Sequence, residues 1–351
     1  MRALRKTDRG PGAELVEIEI PTPGDDEVLV RVHGASICGT DLHILDWNEW
    51  VDSRIATVPM TFGHEMAGTV QAVGDEVHHL RPGAFVAAET HIACGHCTTC
   101  QTGRAHICEN LRILGVDTEG AFADYVVLPA TNAWVVGDRI DADVASIMEP
   151  FGNAVHATFG TGGGEDIATN VVAVIGCGPI GMFAVGVLRS LGAFKVIAIE
   201  PNGYRRQKAA EMGADVLLDP SETDPVAAVL EQTNGAGAEV VLEMSGNARA
   251  IDQGTRMLAR GGRMSLLGLP DASVVLDLND QVIFKEARLQ GITGREMFRT
   301  WQQTTTLLST GRVDVSPVIT HRFSLEKWQE AFEATASGSS GKVILMPEHE
   351  G

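Results

Sequence analysis

Residues 171–200 restrict the fold more than any other stretch. Val171, Val172, Ala173, Val174 and Ile175 form an unbroken apolar run, and Gly176-Cys177-Gly178-Pro179-Ile180-Gly181 follows directly. A helical pattern then continues to about Leu191, and a second apolar run, 196–199, closes on Glu200. An apolar run this short, with no polar alternation, reads as a strand buried on both faces, as parallel sheets require. Glycines at a strand-to-helix turn let the backbone approach a pyrophosphate, which rests on the helix N-terminus. An acid 24 residues after the first glycine ends the next strand. In this context Gly-x-Gly-x-x-Gly is a dinucleotide-binding fingerprint; alone it would be weak. Gly176, Gly178 and Gly181 are therefore cofactor-cradle candidates, and Glu200 is an acceptor for adenosine ribose hydroxyls. Glu200 would repel a 2′-phosphate and so favours NAD, whereas Arg205 in the next helix could pair with such a phosphate. Cys177 occupies a variable position of the turn and reads as packing.

Further apolar runs at 216–218, 240–242, 264–267 and 289–292 bring the strand count to six, the doubly wound number. Ligands in such sheets bind beyond the strand C-termini. Leu267, Gly268, Leu269, Ile292 and Thr293 are therefore candidates to border the nicotinamide half, or else core residues. Gly162-Gly163-Gly164 lacks the Gly-Lys-Ser/Thr of a nucleotide P-loop.

The N-terminal part reads differently. Period-two alternation at 16–20 and 28–32, a Pro/Gly turn at 21–25 and short strands at 66–73, 84–88 and 123–128 predict a compact, mostly antiparallel β domain. The 351 residues suffice for two cores. The expected division is residues 1–155, then the dinucleotide domain 156–293, then 294–351 returning to the first domain. The 148–156 segment reads as the helix that leaves the first domain. The tail is expected to hold a strand at 319–323, a helix from 325 and a strand at 343–345.

Six cysteines in a large chain point to metal ligation rather than disulfides. Cys94, Cys97, Cys100 and Cys108 are separated by two, two and seven residues. Four thiolates this dense form a closed tetrahedral zinc site with no place for water, hence a structural one, in a lobe spanning 89–110. His96 and His106 are then surface residues. A different set surrounds Cys38. That thiolate and the His64-Glu65 pair are ligand types that zinc selects. Thr40 and His43, a hydroxyl and a group titrating near neutrality, could pass a proton. A catalytic zinc is expected here.

Net charge is −19 and the pI is near 4.9, so phosphate backbones are repelled and no nucleic-acid partner is expected. No apolar run reaches about 18 residues, so no membrane span is expected. The N-terminus lacks an apolar signal region, and a cytoplasmic location is expected.

These motifs together resemble the zinc-dependent medium-chain alcohol dehydrogenase superfamily. Gly39-Thr40-Asp41-Leu42-His43, Gly63-His64-Glu65, the four-cysteine lobe and Gly176–Gly181 carry the resemblance. Asp46-Trp47-Asn48-Glu49-Trp50, Glu89-Thr90-His91-Ile92, Glu149-Pro150-Phe151-Gly152-Asn153 and Gly294-Arg295-Glu296-Met297-Phe298 are similar to its L-threonine 3-dehydrogenase branch. The resemblance covers nearly the whole chain. It implies an α/β fold: a Rossmann doubly wound parallel sheet plus a mostly-β GroES-like catalytic domain with the structural zinc lobe.

The resemblance also implies NAD-dependent oxidation of L-threonine to L-2-amino-3-oxobutanoate, with two zinc ions per chain. Polyol or secondary-alcohol oxidation on the same scaffold is the alternative. Implied ligands of the catalytic zinc are Cys38, His64, Glu65 and, by position, Glu149. Thr40 and His43 would form the proton relay. His91 would lie near the substrate, or else in the core. Ile180, Glu200, Arg205, Leu267, Gly268, Leu269, Ile292 and Thr293 would contact NAD. The family is usually tetrameric, and a 2-amino-3-oxobutanoate CoA ligase is a candidate functional partner. Charge adds one expectation. Cys38, Glu65 and Glu149 would leave zinc with net −1, so a glutamate, Glu149 first, is expected to leave the metal when substrate binds.

Overall fold

The computed structural model describes residues 1–270 and 272–347. The chain divides into two compact units. One holds Met1–Glu149, Glu296–Trp301 and the chain from Ile319; the other holds Pro150–Arg295 and Gln302–Val318.

The first unit is built on a seven-stranded sheet. Its order is Ala133–Val135, Phe85–Ala88, Glu65–Val73, Glu27–Ser36, Lys342–Met346 and Ile319–Ser324, with Tyr125–Pro129 also paired to Glu27–Ser36. Every pairing is antiparallel except that of the last two strands. Alternation along these strands buries one face: Val28, Val30 and Val32 are fully buried. Phe62, Phe122 and Phe332 meet inside this unit, the first two edge to face at 5.2 Å between centroids. Register matters most at one end of the sheet. Ser36 lies opposite Glu65 on one neighbouring strand and opposite Ile344 on the other. Three distant stretches therefore meet around Ser36.

The second unit is a six-stranded, wholly parallel sheet. Its order is Val216–Leu218, Lys195–Ile199, Val171–Ile175, Ala238–Glu243, Leu258–Leu266 and Arg288–Gly291. In chain order this is 3-2-1-4-5-6, the doubly wound arrangement. Ala173, Ile175, Ile197, Val241 and Met264 fill its core. Its helices start where sequence chemistry dictates. Pro179 and Pro225 open two of them, and the side chains of Asn202, Asp224 and Asn247 accept the first free N–H groups. Arg263 is buried in a two-bond pair with Asp166, at 2.7 and 3.0 Å. It also donates to the Ala157 and Thr158 carbonyls at the end of the helix Met148–Phe159.

The tail departs from expectation in one segment. Residues 302–318 belong to the parallel-sheet unit, not to the β unit. Leu308, Val313 and Val315 are buried there, and Val313 reaches the position a Cβ on Gly186 would crowd. The 148–156 helix forms as expected, and the division between units falls within it, at Glu149/Pro150.

Candidate active site, metal centres and cofactor cradle

Cys38 is the N-cap of the helix Gly39–Asp46, so its sulfur sits at the positive end of a helix dipole. Its backbone N–H donates to Asp41 Oδ2 at 2.8 Å. Asp41 is fully buried, and its Oδ1 lies 3.5 Å from Nδ1 of the buried His64. That contact directs Nδ1 toward a carboxylate and leaves Nε2 for a metal. His64 reaches this place because Gly63 turns the chain at φ +91°, with the Phe122 ring 2.6 Å from where a Cβ would stand. Ligand atoms of Cys38, His64 and Glu65 lie within 4.8 Å of one another.

The electrostatics ask for a cation. Burial disfavours a charged His64, but Asp41 and Cys38 outweigh it and hold the imidazolium well above its usual range. A dication among these groups supplies the positive charge that they otherwise draw from a proton. Zinc fits the set of thiolate, imidazole and carboxylate.

Glu149 is not in this cluster. Its Oε1 accepts the Thr90 hydroxyl at 3.2 Å, and it is buried. Thr40 is half-buried and His43 exposed, one helical turn apart. His91 is half-buried; its backbone N–H donates at 2.8 Å to Glu89, a fully buried carboxylate that also accepts the Trp301 indole N–H at 2.6 Å.

Three neighbours of this cluster escape a reading of the sequence: Ser36, Asp41 and Lys342. Glu65 Oε2 accepts from both Ser36 Oγ and Lys342 Nζ. Lys342 also donates to Ile37 O at 2.7 Å. Burial pushes its ammonium down, but Glu65, Cys38 and Glu149 outweigh this and raise it. Asp41 alone could have been suspected, from the recurrent pairing of metal-binding histidines with carboxylates.

The second cysteine set also converges. Sγ of Cys97 lies 3.4 Å from that of Cys100 and 3.8 Å from that of Cys108. The Thr99 hydroxyl, then the Cys100 N–H, hold the Cys97 thiol down at about 5, and hydrogen bonds led by the His96 N–H bring Cys94 to about 7. Such donors favour thiolates at these two positions, whereas burial and then the neighbouring Cys97 push the Cys100 thiol up to about 12. His96 is exposed, with Nδ1 2.8 Å from Cys94 O, while the sulfurs complete the set without it.

In the parallel-sheet unit a cavity of about 530 Å³ lies beyond the strand ends, lined by Gly176, Gly178, Ile199, Glu200, Arg205 and Ser245 among others. Gly176 has φ +86°, and a Cβ there would stand 2.8 Å from Ser245. A Cβ on Gly181 would strike Gly176 O at 2.0 Å, whereas one on Gly178 would meet nothing within 4 Å. Open space at this turn is what a pyrophosphate would need to approach the backbone. Ile180 follows Pro179 in the first turn of the helix. Glu200 Oε2 accepts the Cys177 N–H at 2.8 Å and Oε1 accepts the Asn202 N–H at 2.9 Å. Buried Arg205 Nε has no hydrogen-bond partner among the described residues, an unspent donor at the cavity. Leu267, Gly268 and Leu269 follow the strand Leu258–Leu266, and Leu269 is 92% exposed; Ile292 and Thr293 follow Arg288–Gly291. Cys177 is buried, which raises its thiol and suits a packing role.

Comparison with known proteins agrees with both halves. The family described as alcohol dehydrogenase GroES-like domain matches residues 24–138, and the one described as zinc-binding dehydrogenase matches 179–310. L-threonine 3-dehydrogenase of Caldanaerobacter subterraneus subsp. tengcongensis is 49% identical over 99% of this chain and 99% of its own. That of Symbiobacterium thermophilum is 50% identical over 99% of this chain and 98% of its own. A zinc-binding dehydrogenase of Sinorhizobium meliloti, solved with NADP, matches with a TM-score of 0.90 at 31% identity, covering 99% of each chain. With both family matches and full-length relatives of this similarity, the chain belongs to the zinc-dependent medium-chain alcohol dehydrogenase superfamily, in its L-threonine 3-dehydrogenase family.

Proposed function

We propose that the protein oxidises L-threonine at its secondary hydroxyl, giving L-2-amino-3-oxobutanoate as NAD⁺ becomes NADH and a proton is released. The observation that carries this reading is the convergence of Cys38, His64 and Glu65 in a chain of this family. When bound, zinc supplies Lewis-acid polarisation of the hydroxyl and NAD⁺ accepts the hydride. The chain's own groups do the rest. Cys38, His64 and Glu65 hold the metal, with Glu149 as fourth ligand, and Asp41 fixes the ring of His64. The Thr40 hydroxyl takes the substrate proton onward, and exposed His43, one turn along, delivers it to water. Glu149, which the Thr90 hydroxyl touches, leaves the metal as substrate binds and meets the substrate ammonium, and His91 borders the same substrate.

On the cofactor side, Gly176, Gly178, Ile180 and Gly181 cradle the pyrophosphate. Glu200 takes the adenosine ribose, Arg205 closes over it, and Leu267, Gly268, Leu269, Ile292 and Thr293 border the nicotinamide. NAD is preferred over NADP because a 2′-phosphate would meet the Glu200 carboxylate. Cys94, Cys97, Cys100 and Cys108 hold the second, structural zinc.

The enzyme works as a homotetramer. Support comes from the edge strand Arg288–Gly291 and from the exposed apolar side chains of Val275, Leu278, Ile283 and Phe284 in the same unit. Six free thiols favour a reducing, cytoplasmic setting. Among the described residues no helix is long and apolar enough to cross a membrane. The product is a β-keto acid that loses carbon dioxide readily, so a 2-amino-3-oxobutanoate CoA ligase is the fitting consumer. Comparing NADH formation from L-threonine, sorbitol and 2,3-butanediol tests the assignment: threonine should lead in kcat/KM by about 10⁴-fold, the scale a polar site imposes on substrates lacking its hydrogen-bonding group. Preference for sorbitol or for the diol would refute it.

A further inference from the structure

Lys342 opens the strand Lys342–Met346 and is 3% exposed. Its position follows from register. Ile344, two residues on, lies opposite Ser36, which in turn lies opposite Glu65. The ammonium is thereby delivered to Glu65 Oε2, where Ser36 Oγ also donates, and its second bond goes to Ile37 O at 2.7 Å, one residue before Cys38. A buried cation beside a metal site repels the metal. Such a group persists at a cost to metal affinity, so its use should lie elsewhere.

We propose that Lys342 is a positioning residue for the catalytic metal, holding Glu65 to one-oxygen ligation and bringing the centre to neutrality. This rests on reading Cys38, His64 and Glu65 as the catalytic zinc site. With Oε2 occupied by two donors, Oε1 is the oxygen left for the metal. With Glu149 counted as the fourth ligand, the anionic Cys38, Glu65 and Glu149 would leave a dication at net −1; Lys342 brings the sum to zero. A neutral centre withdraws more electron density from a hydroxyl than an anionic one. Lewis acidity is therefore set by a fixed lysine, and departure of Glu149 is not needed to reach it.

The test uses the zinc-loaded enzyme and the variants Lys342→Met, Lys342→Gln and Lys342→Arg. Catalytic-site zinc affinity is read by competition with a chromophoric chelator, coordination by the visible spectrum after cobalt(II) exchange, and turnover by the split of kcat from KM. Removing the charge should tighten zinc about tenfold, since a repelling ion a few ångströms away is gone. The cobalt absorption should weaken as a second carboxylate oxygen enters, and kcat should fall about tenfold or more while KM for NAD⁺ stays near parental. Lys342→Arg, which keeps the charge, should restore zinc affinity and most of kcat. Should Lys342→Met not fold, Lys342→Gln, which removes the charge but can still donate to Glu65, carries the expectations for zinc affinity and kcat, with the cobalt spectrum near parental. Zinc bound equally or more weakly in a folded uncharged variant would make Lys342 a mere ion-pair partner and overturn the proposal. A parental chain binding only one zinc would instead overturn the site reading beneath it.

Discussion

Asp41 Oδ1 stands 3.5 Å from His64 Nδ1, with both side chains buried. The aspartate would thus direct which ring nitrogen His64 offers to a metal, without being one of the three grouped ligand residues. Asp41→Asn should lower catalytic-site zinc affinity by about 10- to 100-fold, the usual effect of losing such a partner. The cysteine lobe should keep its zinc. Metal analysis after graded chelator dialysis would read this, and equal loss from both sites would contradict it.

Glu149 lies outside the three-residue cluster and is held by Thr90. Glu149→Gln should leave zinc at two per chain, because Cys38, His64 and Glu65 remain. It should cut kcat/KM for L-threonine by about tenfold or more, as loss of a charged contact to a substrate ammonium does. Parental turnover in Glu149→Gln would exclude that role.

Glu200 both faces the cofactor cavity and holds the Cys177 and Asn202 N–H groups. Glu200→Ala should therefore act twice. KM for NAD⁺ should rise about tenfold as ribose contacts and local order are lost, while the NAD/NADP preference narrows. Steady-state kinetics with both cofactors would show this; an unchanged ratio would remove Glu200 as the discriminator.

Arg263 and Asp166 form a buried pair that also ties down the end of the Met148–Phe159 helix. Arg263→Ala should destabilise the parallel-sheet unit by about 3 kcal/mol, since it strands carbonyls and a carboxylate. Denaturant unfolding followed by circular dichroism would measure it. A change below about 1 kcal/mol would mean that water replaces the guanidinium.

Much of this was legible because the information is local. The apolar run, glycine turn and Glu200 lie within one stretch, and their spacing encodes strand, turn, helix and strand. Cys94, Cys97, Cys100 and Cys108 announce their site by density alone. Cys38 and the His64-Glu65 pair could be grouped by ligand chemistry, and they do converge. Lys342 could not be found this way. It lies 277 residues from Glu65, and only antiparallel register brings them together. Asp41 could be suspected only from the habit of metal-binding histidines to pair with carboxylates, since by position it is an ordinary acid in a first helical turn. Residues 302–318 carry apolar positions that suit either core, so their membership of the parallel-sheet unit is set by tertiary packing against Gly186.

The most direct measurement is the initial rate of L-threonine-dependent NADH formation before chelator dialysis, after it, and after zinc is restored. The rate should be high, fall to background with loss of the zinc held by Cys38, His64 and Glu65, and return with the metal. Turnover that persists in zinc-free protein, or none in protein carrying two zinc ions, would contradict a zinc-activated threonine dehydrogenase.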